Sequence, residues 1–259
     1  MTTGPVIECR KVSKRFPRQR PIGKMFHRRS ESDWAPALSE VDLQLAAGEA
    51  VGLVGRNAAG KSTLLKMIAG LIETDTGSIA IQGADPVAQP MAARANMGFV
   101  LSNERSFFWR ISVRENLHFF ARLQNIPQQN ISDETEYLLD TVGLASEARR
   151  PYKDLSEGLR QRLAIARGLL GDPALLLMDE ATLHLDPGSR QQLGPLFRAR
   201  RNGDARTLLM VSHNLEEVQQ ICHRLVCLDG GAIWSDGPLA TEIDRVRTHL
   251  HRSDTGAAS

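Results

Sequence analysis

The sequence predicts an α/β fold: an open core of strands and helices interrupted by a helical segment. Residues Pro5 to about Gly83 alternate short apolar runs with turns, and the buried strand EAVGLVG there passes through a glycine-rich turn into the helix STLLKMIAG. From Arg94 to about Leu170 the texture turns helical, and from Ala174 strand–helix alternation returns. A core split by an insert accounts for all of these observations.

VIECRKV and SEVDLQL read as the opening strands and SIAIQG as a later one. Between the first two lies PRQRPIGKMFHRRSESDWAP, polar, basic and proline-flanked, an inserted loop over about 17–36. The helical part begins where Ser112 and Glu115 form a capping box ahead of VRENLHFFARLQ. DETEYLLDTV follows and stops at Gly143, a helix C′ glycine, and LRQRLAIARGLL is a third helix. ALLLMDE is then a strand, and a helix opens at Asp186-Pro187 whose Gly194-Pro195 pair should kink or break it. TLLMVSH, NLEEVQQIC, RLVCLD and AIWSDG continue the alternation, and the small, polar tail RSDTGAAS is expected to be disordered. The organisation expected is 1–95 and 171–237 as the halves of the core, 96–170 as a helical subdomain, and 238–259 as a partly disordered tail.

At 259 residues the chain is long enough for a sizeable core, and its 42% apolar and 24% charged content is ordinary for a globular protein. A net charge of +2 implies no overall polyanion binding. The charge is uneven, though. Arg10, Lys11, Lys14, Arg15, Arg18, Arg20, Lys24, Arg28 and Arg29 share a segment without an acid, suited to nucleic acid, acidic lipid or nucleotide, or simply to solvent. Cys9, Cys222 and Cys227 are an odd set in a chain too large to need staples, which suggests a reducing compartment. The run Cys222-His223-x-x-x-Cys227 lacks a second ligand pair and Cys227 sits in the apolar RLVCL, so packing is favoured over zinc. The N-terminus has no hydrophobic signal core, and no apolar run approaches the roughly 20 residues that span a bilayer. A cytosolic protein is expected, with any membrane role supplied by a partner.

The chemistry gathers in a few short runs. GRNAAGKST satisfies GxxxxGK[ST] with Gly55, Gly60, Lys61 and Ser62, between a buried strand and a helix. Backbone N–H groups at such a helix N-terminus point at phosphate. Lys61 should reach the β- and γ-phosphates and the Ser62 hydroxyl should ligate Mg²⁺. The whole loop, Gly55, Arg56, Asn57, Ala58, Ala59, Gly60, Lys61, Ser62 and Thr63, is the nucleotide-binding candidate. Leu175 to Met178 followed by Asp179-Glu180 describes a buried parallel strand with acids at its carboxyl end, where open sheets bind ligands. Asp179 would hold the Mg²⁺ shell and Glu180 would orient or activate water. In LSEGLRQR, Ser156 and Gly158 open a second helix able to meet phosphate.

With these runs in this order, the chain from about Val6 to Gly237 resembles the ATP-binding-cassette (ABC) ATPase family. The resemblance implies a P-loop NTPase (RecA-like) core with an antiparallel β edge, ATP and Mg²⁺ as cofactors, and a homodimer closed around two ATP molecules. In that family the signature helix of one subunit caps the γ-phosphate held by the other. Ser156 and Gly158 match its phosphate contacts, while Glu157 and Leu159 stand where the most common form has glycine and glutamine. The resemblance implies that Asp186 signals across the dimer, that His213 is the switch histidine near the γ-phosphate, and that Phe16 stacks on adenine. An ordinary core phenylalanine would look the same as Phe16. The family's glutamine after the strand ending MGFV is missing: the position falls on Ser102 or Asn103, with Asn103 keeping an amide for the metal and Glu104 offering a carboxylate. Phe107, Phe108 and Trp109 follow, either lining a groove for a membrane partner's helix or packing the helical subdomain.

Ala58 replaces a residue often glycine with one carrying a Cβ, at small cost if its backbone is helical or β-like. With the lysine and carboxylates retained, the site reads as live. The resemblance implies an ATPase subunit driving a separate membrane permease from the cytoplasmic face of the cell membrane, most like the exporter branch for polysaccharide, lipid or drug. A soluble member acting on nucleic acid and a low-turnover regulator are the alternatives. Nucleic acid is not the expected partner.

Overall fold

The computed structural model describes residues 4–18, 33–102, 106–201 and 203–255, with side chains as far as 251. Arg20, Lys24, Arg28, Arg29, Asn103 and Glu104 lie outside the described residues. The chain divides into one compact unit of 1–46, 53–93 and 224–259 and another of 47–52 and 94–223.

The chain opens with β1 (Ile7–Pro17) and β2 (Trp34–Leu45), then β3 (Ala50–Gly55) feeds α1 (Lys61–Ile68), and β4 (Thr76–Ile81) follows. β1 pairs antiparallel with both β2 and β4, giving a three-stranded sheet in the order β2-β1-β4. Ile7, Cys9 and Val12 turn inward from β1 and are buried. Both opening strands run longer than their apolar patterns predict. Pairing continues to Pro17 opposite Trp34, and the Arg18 amide donates to the Asp33 carbonyl at 2.7 Å. Backbone ladder bonds carry the strands past the point where side-chain alternation stops marking them. β3 is buried on both faces, as the continuous apolar run predicts. α1 buries Leu64, Leu65, Met67 and Ile68, and Gly70, just past its cap at Ala69, takes a φ of 68° that suits the close of a helix.

After α2 (Pro90–Arg94) come β5 (Met97–Leu101), α3 (Val113–Leu123), α4 (Ile131–Thr141), α5 (Glu157–Leu169), β6 (Leu175–Asp179), α6 (Pro187–Arg198), β7 (Thr207–Val211) and α7 (Leu215–Ile221). β5, β6 and β7 pair in parallel, with Leu101 opposite Asp179 and Asp179 opposite Val211. The capping box forms: Ser112 accepts from the Glu115 amide, and the Glu115 carboxylate accepts from the Ser112 amide at 2.8 Å. Gly143, at φ 70°, closes α4 with its amide on the Asp140 carbonyl while the Leu144 amide reaches Leu139. α6 does not break at Gly194-Pro195 as expected; it runs on to Arg198. Proline removes one N–H bond near the helix end, and buried Leu193 and Phe197, one on each side of the pair, hold the flanking turns.

Arg206, 3% exposed, fastens the ends of these elements, donating from Nε to the Pro173 carbonyl at 2.8 Å and from Nη2 to Asp172 at 2.7 Å. The chain closes with β8 (Arg224–Asp229), β9 (Ala232–Pro238) and α8 (Leu239–Thr255). β8 and β9 pair antiparallel, and the larger sheet runs β5-β6-β7-β3-β8-β9, with β3 contributing residues to each unit. The expected disorder of RSDTGAAS is corrected as far as Thr255, since α8 includes those residues; 256–259 lie outside the description. Ile243 and Val246 are buried, and the His249 ring stacks 3.9 Å from Trp234 with Nε2 2.9 Å from Asp229. Those contacts hold a helix whose last residues are too small and polar to signal one by themselves. All three cysteines are buried, and burial pushes the Cys9 and Cys222 thiols up to about 12.

Candidate active site

The loop Gly55–Thr63 lies in the first unit, and its shape follows from what surrounds its glycines. A Cβ on Gly55 would lie 2.1 Å from the Leu228 carbonyl oxygen, and one on Gly60 would lie 2.4 Å from that of Ala37. Both also adopt positive φ, 150° and 102°. β8 and β2 therefore press on the loop so closely that only hydrogen fits. Ala58 takes φ 62°, so the helical or β-like backbone that would make its Cβ inexpensive is not what the loop adopts. Its Cβ costs about 1–2 kcal/mol in the left-handed region. Lys61, 7% exposed, donates from Nζ to the Gly55 and Arg56 carbonyls, both at 2.8 Å. Those bonds lay the ammonium across the loop. α1 begins without a capping side chain and without an acid in its first turn. A helix start with neither is shaped for an anion: the dipole and first-turn amides attract phosphate, and the turn itself carries no carboxylate. Ser62 and Thr63 are half-buried residues of that turn, and Arg56, Asn57 and Ala58 are exposed.

The carboxylates lie in the second unit. Asp179 is buried as the last residue of β6, and Glu180 follows, half-buried. Glu180 takes φ 49°, a left-handed conformation that turns the chain sharply off the strand, and its amide donates to the Val211 carbonyl at 3.0 Å. His213, just past β7, reaches back so that its Nδ1 lies 3.5 Å from Glu180 Oε1. The parallel register of β6 and β7, which sets Asp179 opposite Val211, brings these ends level. A carboxylate and an imidazole thus face one another at the carboxyl edge of the sheet, where a water could be held and deprotonated.

Ser156 caps α5, accepting from the Leu159 amide at 3.4 Å. Gly158 lies against the following segment of the same unit: a Cβ there would come within 3.2 Å of the His184 carbonyl oxygen. His184 Nε2 lies 3.2 Å from Glu157 Oε1, a pairing the sequence reading did not anticipate. Asp186 caps α6, accepting from the Ser189 amide at 3.0 Å and from its hydroxyl; these hydrogen bonds hold its carboxyl below the usual carboxylate range. The sequence reading also passed over buried Thr182, Ser212 and Glu217. The available signal was an acid, Glu217, on the buried face that α7 forms with Val218 and Ile221.

Phe16 exposes 36% of its surface, which removes the reading of an ordinary core phenylalanine. The aromatic run divides. Phe107 is buried against Phe120 and Tyr152, at centroid distances of 5.4 and 5.0 Å, whereas Phe108 and Trp109 are exposed. Asn103 and its alternative Glu104 fall outside the described residues.

The ABC transporter family pattern matches residues 38–183, more than half of the chain. The chain is 34% identical over 212 residues to the ABC transporter ATP-binding protein NatA of Bacillus subtilis, covering 82% of this chain and 86% of that one. It is 36% identical to the Nod factor export ATP-binding protein I of Rhizobium johnstonii, over 77% of this chain and 64% of that protein. It is 33% identical to the methionine import ATP-binding protein MetN of Corynebacterium jeikeium, over 91% of this chain and 62% of that one. The chain thus spans less than two thirds of the latter two. In fold it matches the solved dimeric structure of a bacterial ABC transporter cassette, MJ0796, with a TM-score of 0.75 at 23% identity, over 90% of this chain and 98% of the other. The order of motifs, the glycine-bound loop and these similarities agree: the chain belongs to the ABC transporter family and is an ATPase domain of that family.

Proposed function

We propose that the chain hydrolyses ATP to power a separate membrane permease, as the cytoplasmic subunit of an exporter of polysaccharide, lipid or drug. The observation that carries the catalytic part is the 3.5 Å approach of His213 to Glu180. In this reading the loop from Gly55 to Thr63 holds ATP through its amides and Lys61, with Phe16 against adenine. Glu180 takes the proton of the attacking water, and His213 orients the carboxylate and the terminal phosphate. Mg²⁺, when bound, supplies charge that neutralises the transferring phosphoryl group. Ser62 and Asp179 offer it hydroxyl and carboxylate oxygens, the hard donors it takes, and Asn103 is the further proposed ligand.

Each chain carries one phosphate loop and one signature helix, so a complete site needs a second copy, most simply through C₂ symmetry. Ser156 and Gly158 then meet the γ-phosphate held by the partner copy, and Asp186 lies at the junction. Exposed Phe108 and Trp109, in the helical segment 96–170, supply apolar surface for the permease. The export direction rests on the sequence resemblance; the relatives include both an export and an import protein.

The test uses Glu180→Gln protein with ATP and Mg²⁺. Turnover should fall at least about 100-fold while an ATP-bound dimer accumulates, measured by phosphate release and sedimentation. Undiminished hydrolysis would remove Glu180 from the role. Recovery of a multispanning protein with this variant from gently solubilised membranes, and its identity, would fix the permease and narrow the cargo.

A further inference from the structure

The residues just after β6 and β7 meet at a buried acid on α7. Thr182, two residues beyond Glu180, is 1% exposed, and its hydroxyl donates to Glu217 Oε1. Ser212, the residue before His213, is 3% exposed, and its hydroxyl donates to Glu217 Oε2 at 2.9 Å. Each oxygen of one carboxylate therefore holds one of the two segments that carry the Glu180–His213 pair. The start of the helix that carries Glu217 is itself fixed. Asn214 caps α7 by accepting from the Glu216 and Glu217 amides at 2.9 and 3.2 Å, and the Asn214 amide donates to the Ser212 hydroxyl at 3.0 Å.

Stability alone gives no reason for an acid here. Burying a carboxylate against two hydroxyls costs more solvation than those bonds return, and apolar side chains at all three positions would leave the core at least as stable. What the carboxylate provides that an apolar group cannot is one rigid acceptor on each side, set by a helix, holding two separate strand ends at a fixed spacing. The Glu180 backbone, with its left-handed φ of 49°, needs such support, because the conformation persists only when its surroundings impose it.

We infer that Glu217 is a positioning residue for ATP hydrolysis, holding Glu180 and His213 at their working separation through Thr182 and Ser212. The inference rests on the catalytic reading of that pair. It assigns Glu217 no contact with nucleotide, so its loss should alter turnover and leave ATP binding alone.

The experiment compares full-length wild type with Glu217→Met, which keeps the volume and removes both acceptors. Expected are a melting temperature lowered by the two hydroxyls left buried without their acceptor, an unchanged KM for ATP, and, well below that temperature, kcat lower by about 10- to 100-fold, the scale of a small misplacement of catalytic groups. Thr182→Val and Ser212→Ala each cut one side of the brace. Each should lower kcat, and combined with Glu217→Met should add little, because all act through one carboxylate. In a Glu180→Gln background the ATP-bound dimer should form as readily with Met at 217 as with Glu. Wild-type kcat in Glu217→Met, or a loss appearing in KM or in thermal stability instead of kcat, would overturn the inference. Should Glu217→Met fail to fold, full turnover in both hydroxyl variants would overturn it equally. Turnover that ignores Glu180→Gln would instead bring down the catalytic reading beneath it, a distinguishable result.

Discussion

The helix starts at α1 and α5 are built in opposite ways, although both are expected to meet phosphate. α1 has no capping side chain and no acid in its first turn, and its glycines are imposed by carbonyls 2.1 and 2.4 Å from where a Cβ would be. α5 is capped by its own Ser156 and carries Glu157 in its first turn, with His184 alongside. The first is shaped for an anion before any arrives. The second satisfies itself, so a phosphate reaching it must displace the cap and face a carboxylate. A helix N-terminus therefore becomes a standing anion site only when the chain withholds its own oxygens.

The largest effect that would break this contrast is steric. Gly55→Ala should cost about 3 kcal/mol of stability and abolish ATP binding, because both Leu228 and the backbone φ reject a Cβ. Gly158→Ala, whose nearest neighbour would be the His184 carbonyl at 3.2 Å, should cost no more than about 1 kcal/mol. Urea unfolding and nucleotide titration distinguish the two, and equal losses would end the comparison.

Next in size is the Glu157–His184 pair at α5. His184→Ala should weaken the ATP-bound dimer of the Glu180→Gln protein roughly three- to tenfold, by leaving Glu157 without its imidazole neighbour beside the incoming phosphate. Adding Glu157→Gln should restore it, and sedimentation with ATP reads both. Failure of the rescue would mean that His184 acts through packing alone. Ala58→Gly addresses α1 from the other side. Relieving φ 62° should stabilise the chain by about 1 kcal/mol, seen as a higher urea midpoint; a loss would mean the loop tolerates its Cβ freely.

The smallest effect concerns acid pH. Hydrogen bonds from the Ser189 hydroxyl and amide hold the Asp186 carboxyl below its ordinary value. Its contribution to α6 is therefore present above that value and is lost as pH falls through the lower, folded one. The Ser189 amide should exchange faster over that interval in wild type than expected from solvent pH alone, and Asp186→Asn should flatten the response. α1, with no carboxylate at its start, should show no such step.

Much of the site was legible because its signals are local. The span from Gly55 to Thr63, the capping box at Ser112, the C′ glycine at Gly143 and the acids ending β6 each depend on a few adjacent residues, and each took the expected local form. What escaped the sequence needed neighbours from elsewhere. The close approach of β8 and β2 to Gly55 and Gly60 joins distant segments, and the α8 helix over the RSDT residues follows from Ile243, Val246 and His249 finding partners. Glu217, passed over in the sequence, meets Thr182 and Ser212 because α7 turns it inward.

By itself, then, the sequence determined the α/β class, the phosphate loop, the order of the motifs and the identity of the acids, because hydrophobic period, capping and glycine placement act over a turn or a strand. Tertiary structure alone decided which backbone angles those residues must take, that Phe16 and Trp109 face outward while Phe107 does not, and that Glu180 and His213 come within 3.5 Å. Register between parallel strands and the closing of buried hydrogen bonds set those distances, and both join residues far apart in the chain.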